Sequence, residues 1–329
     1  MKAGINYISV YLPENIVSND EIEQKVVYKN QALPTGILEK TLGIKTRRFA
    51  DKNTQVSDLA CNAANGILSQ IDRSTIDLLI FAAASSDLTE PATANIIQAK
   101  LGLTCPVLDV KNACNSVVSA IQVASAFIES GIYTNILIVN GEKLSEVINF
   151  SPLDDVQYSR CFVGYGLGDA GAAMLIGKEK QGKIIFQKFT SFGEYWDICT
   201  VSAGGSLAYR DLNKSFFEGN AKELREVFVE KAPNFILDCL AESHIKISDI
   251  NCLIAHQVAQ TTINLIATAI GFDEEKCINT FSKYGNTAAA TIPLAINEAI
   301  LTDKLKHGDK LLIIGLAAGI SISVQLIEW

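Results

Sequence analysis

Imidazole is scarce in this chain: three histidines occur in 329 residues, so chemistry that depends on one has only His244, His256 and His307 to draw on. Metal-binding spacings are missing too. The eight cysteines, at 61, 105, 114, 161, 199, 239, 252 and 277, never form a CxxC pair, which argues against a structural zinc site. Most sit inside apolar runs, as reduced buried thiols do in a cytosolic protein, so a cytoplasmic location is expected. Charged residues make up only 19%, and 36 acids against 28 bases give a net charge of −8. Apart from scattered lysines at 304–310, the longest basic run is the pair Arg47-Arg48, which argues against a nucleic-acid partner. The stretch nearest to membrane length, Leu311–Ile327, is broken by Gly315, Gly319, Ser321, Ser323 and Gln325. It reads as two adjoining buried strands, with no membrane insertion. The opening MKAGINYISVYLPEN has no small-residue cleavage site and reads as a first strand rather than an export signal.

What is present is apolar residue, 48% of the chain. That fraction suits a compact globule, and the length exceeds the ~100–200 residues of one ordinary domain. Near-continuous apolar runs (Leu78–Ala84, Val107–Val110, Ile136–Val139, Ala172–Ile176, Cys252–Ala255, Leu311–Ile314, Ile320–Leu326) alternate with helical patterns at Val56–Gln70, Ser116–Glu129, Ala221–Glu242 and Thr287–Thr302. Strands buried on both faces and interleaved with helices predict an α/β protein. Laying Cys114 on Asn286 aligns two similar stretches, each with small residues, a long helix, a glycine turn and a strand (ILIVNGE; LLIIGLAAG). The chain therefore reads as two copies of one unit, residues 1–177 and 178–329, divided at the polar segment KEKQGK. Asn140–Val163 and Gly204–Gly219 read as irregular insertions suited to covering a substrate.

Among the histidines, His244 and His307 lie in polar turns, whereas His256 ends the apolar strand NCLIAH, at the carboxyl edge where open α/β folds hold their sites. Cys114 follows a buried strand and precedes a helix of small and β-branched residues. A thiol there faces unpaired backbone N–H groups, so its pKa is expected to be lowered. Duplication brings Asn286 toward Cys114, and with His256 a thiol, an imidazole and a carboxamide converge on one cavity.

Cys114 in NAC, His256-Gln257 after LIA, Gly285-Asn286-Thr287, the strand GDAGA at 168–172 and the terminal GLAAG at 315–319 stand in the order and separations of one family. The whole chain resembles the thiolase-fold condensing enzymes, and most of all β-ketoacyl-acyl-carrier-protein synthase III. The resemblance implies a duplicated, five-layered αβαβα fold, a homodimer and a Cys114-His256-Asn286 triad. It implies an oxyanion hole from the backbone N–H groups of Cys114 and Ala318, with His256 and Asn286 donating to the thioester oxygen of a second substrate. The substrates implied are acyl thioesters, as acyl-CoA or acyl carrier protein, with no further cofactor and no metal.

Five positions depart from the family. Where synthase III enzymes clamp adenine with Trp and Arg, this chain has Ile37 and Thr41, and the HQAN motif reads His256-Gln257-Val258-Ala259. Glu90, before Pro91, stands where an apolar residue usually closes the partner's acyl pocket. A carboxylate there resembles the head-to-head condensing enzymes of olefin pathways and the pyrone-forming ketosynthases. In an apolar tunnel its pKa would be raised, as a base removing an α-proton requires. The expected activity is acyl transfer to Cys114, then Claisen condensation with a second acyl or β-ketoacyl thioester, with Glu90 of the partner subunit as base. Alternatives are a decarboxylative synthase III using malonyl carrier in fatty-acid or polyketide initiation, and acyl transfer to a hydroxyl or amine. A cysteine hydrolase fits the duplication less well, and a non-catalytic acyl-binding homologue fits the three reactive positions less well.

Overall fold

A computed structural model describes residues 2–329. The main sheet has nine strands: β1 (Ala3–Tyr11), β2 (Leu78–Ala82), β3 (Val107–Val110), β4 (Asn135–Lys143), β5 (Asp169–Lys178), β6 (Lys183–Ser191), β7 (Cys252–Ala255), β8 (Lys310–Ala317) and β9 (Ser321–Glu328). In space they run β7-β8-β9-β6-β1-β5-β4-β2-β3. The helices that cover them are α1 (Val56–Leu68), α2 (Thr93–Leu101), α3 (Ser116–Glu129), α4 (Ala221–Glu242), α5 (Gln260–Ala269) and α6 (Thr291–Leu301).

One pairing pattern occurs twice. β2 and β4 are parallel, β4 and β5 antiparallel, β5 and β1 antiparallel. Likewise β7 and β8 are parallel, β8 and β9 antiparallel, β9 and β6 antiparallel. Strand β3 extends the first set by pairing parallel to β2, and its counterpart in the second is a single parallel bridge between Leu253 and Cys277. The sets meet where Gly4 faces Lys183. Glycine is required at that seam, since a Cβ on Gly4 would lie 2.6 Å from the Gln181 carbonyl oxygen.

Side-chain alternation then builds five layers. On β2, Leu78, Ile80 and Ala82 join a central core with α3 and α6, while Leu79 and Phe81 turn outward to α1 and α2. On the second set, Cys252, Ile254, Leu311 and Ile313 face the same central core, while Leu253, Leu312 and Ile314 turn to α4 and α5. Strands β2, β7 and β8 are apolar on both faces because each lies between two helical layers. The order of layers is helix, sheet, helix, sheet, helix, the thiolase-like αβαβα arrangement. The two central helices are those that begin just after Cys114 and Asn286.

The continuous apolar strands and the helices Ser116–Glu129 and Ala221–Glu242 fall where the sequence places them. Strand β6, with Lys183, Gln187 and Lys188 among its apolar residues, escapes a search for unbroken apolar runs because most of its residues are only partly buried. The pattern Thr287–Thr302 divides into a 3-10 turn, Ala288–Ala290, and α6. No helix among the described residues is long and apolar enough to cross a membrane.

Candidate active site

Cys114 occupies the turn between β3 and α3, two residues before the helix begins. Ala113, just before it, holds a φ of 46°, which an alanine adopts only under constraint. The constraint is local: Ser116 Oγ accepts from the Asn112 N–H at 2.8 Å and donates to the Ala113 carbonyl at 2.7 Å. A longer tie crosses between the halves. Asn115 Nδ2 donates to the carbonyl and hydroxyl of Ser321 on β9, at 3.0 and 2.8 Å. Gly315 makes room for it, since a Cβ there would sit 2.2 Å from Asn115 Oδ1.

Asn286 is held in the reverse direction, by the first half. Its N–H donates to the Gly166 carbonyl at 2.8 Å, and its carbonyl accepts from the Gly168 N–H at 3.0 Å. The preceding Gly285 has a φ of 68°, matching the positive φ of Ala113 before Cys114. The Ala288 N–H occupies Asn286 Oδ1 at 2.8 Å, which leaves the Nδ2 donors free.

His256 follows β7, its N–H bonded to the Ile314 carbonyl at 2.9 Å, and its Nδ1 lies 2.8 Å from Thr291 Oγ1. Gln257 is fully buried and anchors the chain leading to Asn286. Its Nε2 donates to the carbonyls of Ala255 and Ile278, and its Oε1 accepts from the N–H groups of Thr280 and Phe281.

The structure brings Cys114, His256, Asn286 and Ala318 to the wall of one cavity of about 270 Å³. Phe162, Val163 and Phe217, from the two irregular segments, line it with Cys199 and Phe228. Thr41, where related enzymes would place an adenine-clamping residue, also lines it, while Ile37 does not. Lys222 and Arg225, both exposed, belong to the same wall at the start of α4. Glu90 is absent from the lining: it is exposed on the loop before α2. His244 and His307 likewise do not line the cavity. No cluster of three or more potential metal ligands occurs among the described residues.

The expected lowering of the Cys114 pKa is overturned. Burial, then the Glu142 carboxylate, then Cys199 push the thiol up to about 12, against smaller opposing effects of the Cys114 and Ala318 N–H groups. Desolvation outweighs the backbone dipoles because the sulfur sits two residues outside the helix, inside a largely apolar wall. Burial also pushes His256 down to about 3. The other seven cysteines are free and buried, whereas Cys114 is only partly so.

Glu142 is the residue that sequence reasoning passes over. It is fully buried at the end of β4 and accepts from the Ala84 N–H at 2.8 Å, the Ser85 N–H at 3.0 Å and the Ser85 hydroxyl at 2.7 Å. The Asn140 amide and the Ala289 N–H lie farther off, at 3.3 and 3.4 Å. Burial raises its pKa against these donors. The available signal was a carboxylate ending an otherwise apolar strand, in ILIVNGE.

A family model described as 3-oxoacyl-[acyl-carrier-protein] synthase III matches residues 108–193, and one for the C terminal of the same enzyme matches residues 240–329. The β-ketoacyl-[acyl-carrier-protein] synthase III of Neisseria meningitidis serogroup C is 32% identical over 99% of both chains. That of Clostridioides difficile is 30% identical over 100% of this chain and 98% of its own. Among solved structures, the 3-oxoacyl-[acyl-carrier-protein] synthase III of Aquifex aeolicus superposes with a TM-score of 0.87 at 27% identity, covering 99% and 100% of the two chains. Cerulenin-bound OleA of Xanthomonas campestris, at 23% identity, shares the fold with a TM-score of 0.89 over 100% and 97%.

Proposed function

The chain belongs to the β-ketoacyl-[acyl-carrier-protein] synthase III family of condensing ketosynthases, and from that premise we propose that it is a homodimer joining two acyl chains by Claisen condensation without loss of carbon dioxide. The observation that carries this reading is the convergence of Cys114, His256, Asn286 and Ala318 on one largely apolar cavity. Its two-part architecture, residues 1–177 supplying the thiol and 178–329 the imidazole and carboxamide, belongs to the same proposal.

In the first step Cys114 Sγ attacks the carbonyl of an acyl thioester. A new C–S bond forms, the donor's C–S bond breaks, and the donor thiol leaves with the proton that Cys114 gives up. The N–H groups of Cys114 and Ala318 stabilise the tetrahedral oxyanion. In the second step a base removes an α-proton from another acyl or β-ketoacyl thioester, its α-carbon attacks the acyl group, and Sγ is released. The free Nδ2 of Asn286 donates to the developing enolate oxygen. Exposed Lys222 and Arg225 at the cavity wall suit the phosphate of a pantetheine arm, carried by acyl carrier protein or coenzyme A.

Glu90 of the partner subunit is the proposed base. Supporting this, Glu90 is exposed and lies just ahead of α2, whose Thr93 and Ala94 N–H groups donate to Asp109 on β3 at 2.8 and 2.9 Å. β3 ends the sheet with an outer edge that has no strand partner among the described residues, and Val107, Leu108 and Val110 on it are only partly buried. An apolar, unpaired edge suits a second copy of this chain. The relatives are named β-ketoacyl-[acyl-carrier-protein] synthase III, and a second reading is decarboxylative condensation with a malonyl carrier.

Glu90→Gln separates the two. Intact-protein mass reports acylation of Cys114, and product mass reports condensation. Preserved acylation with product loss supports Glu90 as base, while undiminished product removes it from the chemistry.

A further inference from the structure

His256 and Thr291 are both buried and lie 2.8 Å apart through Nδ1 and Oγ1. The same Thr291 oxygen lies 2.8 Å from the Ala288 carbonyl, to which it donates. Thr291 has one hydroxyl proton to distribute over these two contacts. A carbonyl cannot donate, so if the hydroxyl turned to His256, two oxygen lone pairs would face each other at 2.8 Å. Only one arrangement puts a proton in both contacts: the hydroxyl donates to Ala288, and the imidazole donates from Nδ1 to the hydroxyl.

The geometry points to Thr291 as a positioning residue that holds His256 as the Nδ1–H tautomer, so that Nε2 meets the cavity as a proton acceptor. Thr291 lies outside the cavity wall and His256 lies in it, so the ring nitrogen that Thr291 does not engage is the one left for substrate chemistry. With the imidazolium disfavoured by burial, a proton on Nδ1 means none on Nε2.

Ala288 is the hinge of the arrangement. It holds a φ of 43°, and from this strained position its carbonyl fixes Thr291 while its N–H fixes Asn286. The imidazole and the carboxamide thus take opposite duties from one residue, the first an acceptor and the second a donor.

The inference rests on the ketosynthase reading and changes one part of it: His256 enters the cycle as a base rather than as the donor expected from the sequence. As Sγ bonds to the acyl carbon, the Cys114 proton passes to Nε2. As the donor's C–S bond breaks, Nε2 returns that proton to the departing sulfur.

The test is 15N NMR of the imidazoles in the full-length protein near neutral pH. With three histidines in the chain, the His256 signals are those missing from His256→Ala. The wild type should show protonated Nδ1 and bare Nε2. Thr291→Ser should keep that signature, and Thr291→Val should shift population toward Nε2–H. Acylation of Cys114, followed by intact mass with an acyl-CoA, should slow about tenfold to a hundredfold in Thr291→Val and recover in Thr291→Ser. A wild-type Nε2–H, or a Thr291→Val protein with unchanged tautomer or unchanged acylation rate, overturns the assignment. A wild type that is never acylated would instead refute the ketosynthase reading, which the NMR result does not touch.

Discussion

Glu142 and Ser85 are joined twice, the carboxylate accepting the Ser85 N–H at 3.0 Å and its hydroxyl at 2.7 Å. The pair ties the end of β4 to the segment that leads from β2 toward Glu90. It also places a carboxylate where its field raises the Cys114 thiol.

Glu142→Gln should therefore have two separable effects. An amide group turned toward the N–H donors of Ala84 and Ser85 leaves buried polar atoms unpaired, at about 1–3 kcal/mol of stability. Removing the like charge should lower the Cys114 pKa. Urea unfolding measures the first, and the pH dependence of alkylation measures the second. An unchanged thiol pKa would show that Glu142 is only structural.

In the wild type, a thiol near 12 predicts that iodoacetamide labelling of Cys114 climbs about tenfold per pH unit through neutrality and beyond. A plateau below about pH 8 would mean a stabilised thiolate, contrary to this account. The acyl thioester substrate should block the label.

Stability should fall with acidity because of His256. Its pKa drops from 6.5 to about 3 on folding, so between those values the unfolded chain holds a proton that the folded chain does not. The contribution is fully present above pH 6.5 and is lost as pH falls through that window, at up to about 1.4 kcal/mol per unit. Urea midpoints from about pH 6.5 to 4.5 should slope less in His256→Gln than in the wild type. Parallel slopes would refute the shift.

Cys199 should set the length of acyl chain admitted. It lines the cavity, and on its other side a Cβ on Gly219 would come within 2.3 Å of its sulfur, so added bulk can extend only into the cavity. Cys199→Leu should reduce acylation by the longest accepted chain about 10–100-fold relative to a short one. An unaltered chain-length profile would place the acyl group elsewhere.

Much of the fold was legible because most of its strands are apolar on both faces, as five layers demand, and runs such as Ile136–Val139 suit strands covered by helices on both sides. Cys114 was legible from its place between a buried strand and a small-residue helix, and Asn286 from the repeat. Glu142, Thr291 and Gln257 were not, since each has partners at least 21 residues away in the chain, respectively Ala84, His256 and Ile278.

The amino-acid order by itself determined the duplicated plan and most of the strands and helices, and pointed to Cys114, His256 and Asn286 as candidates, because periodicity and turn chemistry act over a few residues. Tertiary structure alone decided the protonation of those groups. Whether Cys114 is a thiolate and which nitrogen of His256 carries the proton depend on desolvation and on single hydrogen bonds between distant segments, and those exist only once the two halves have closed on each other.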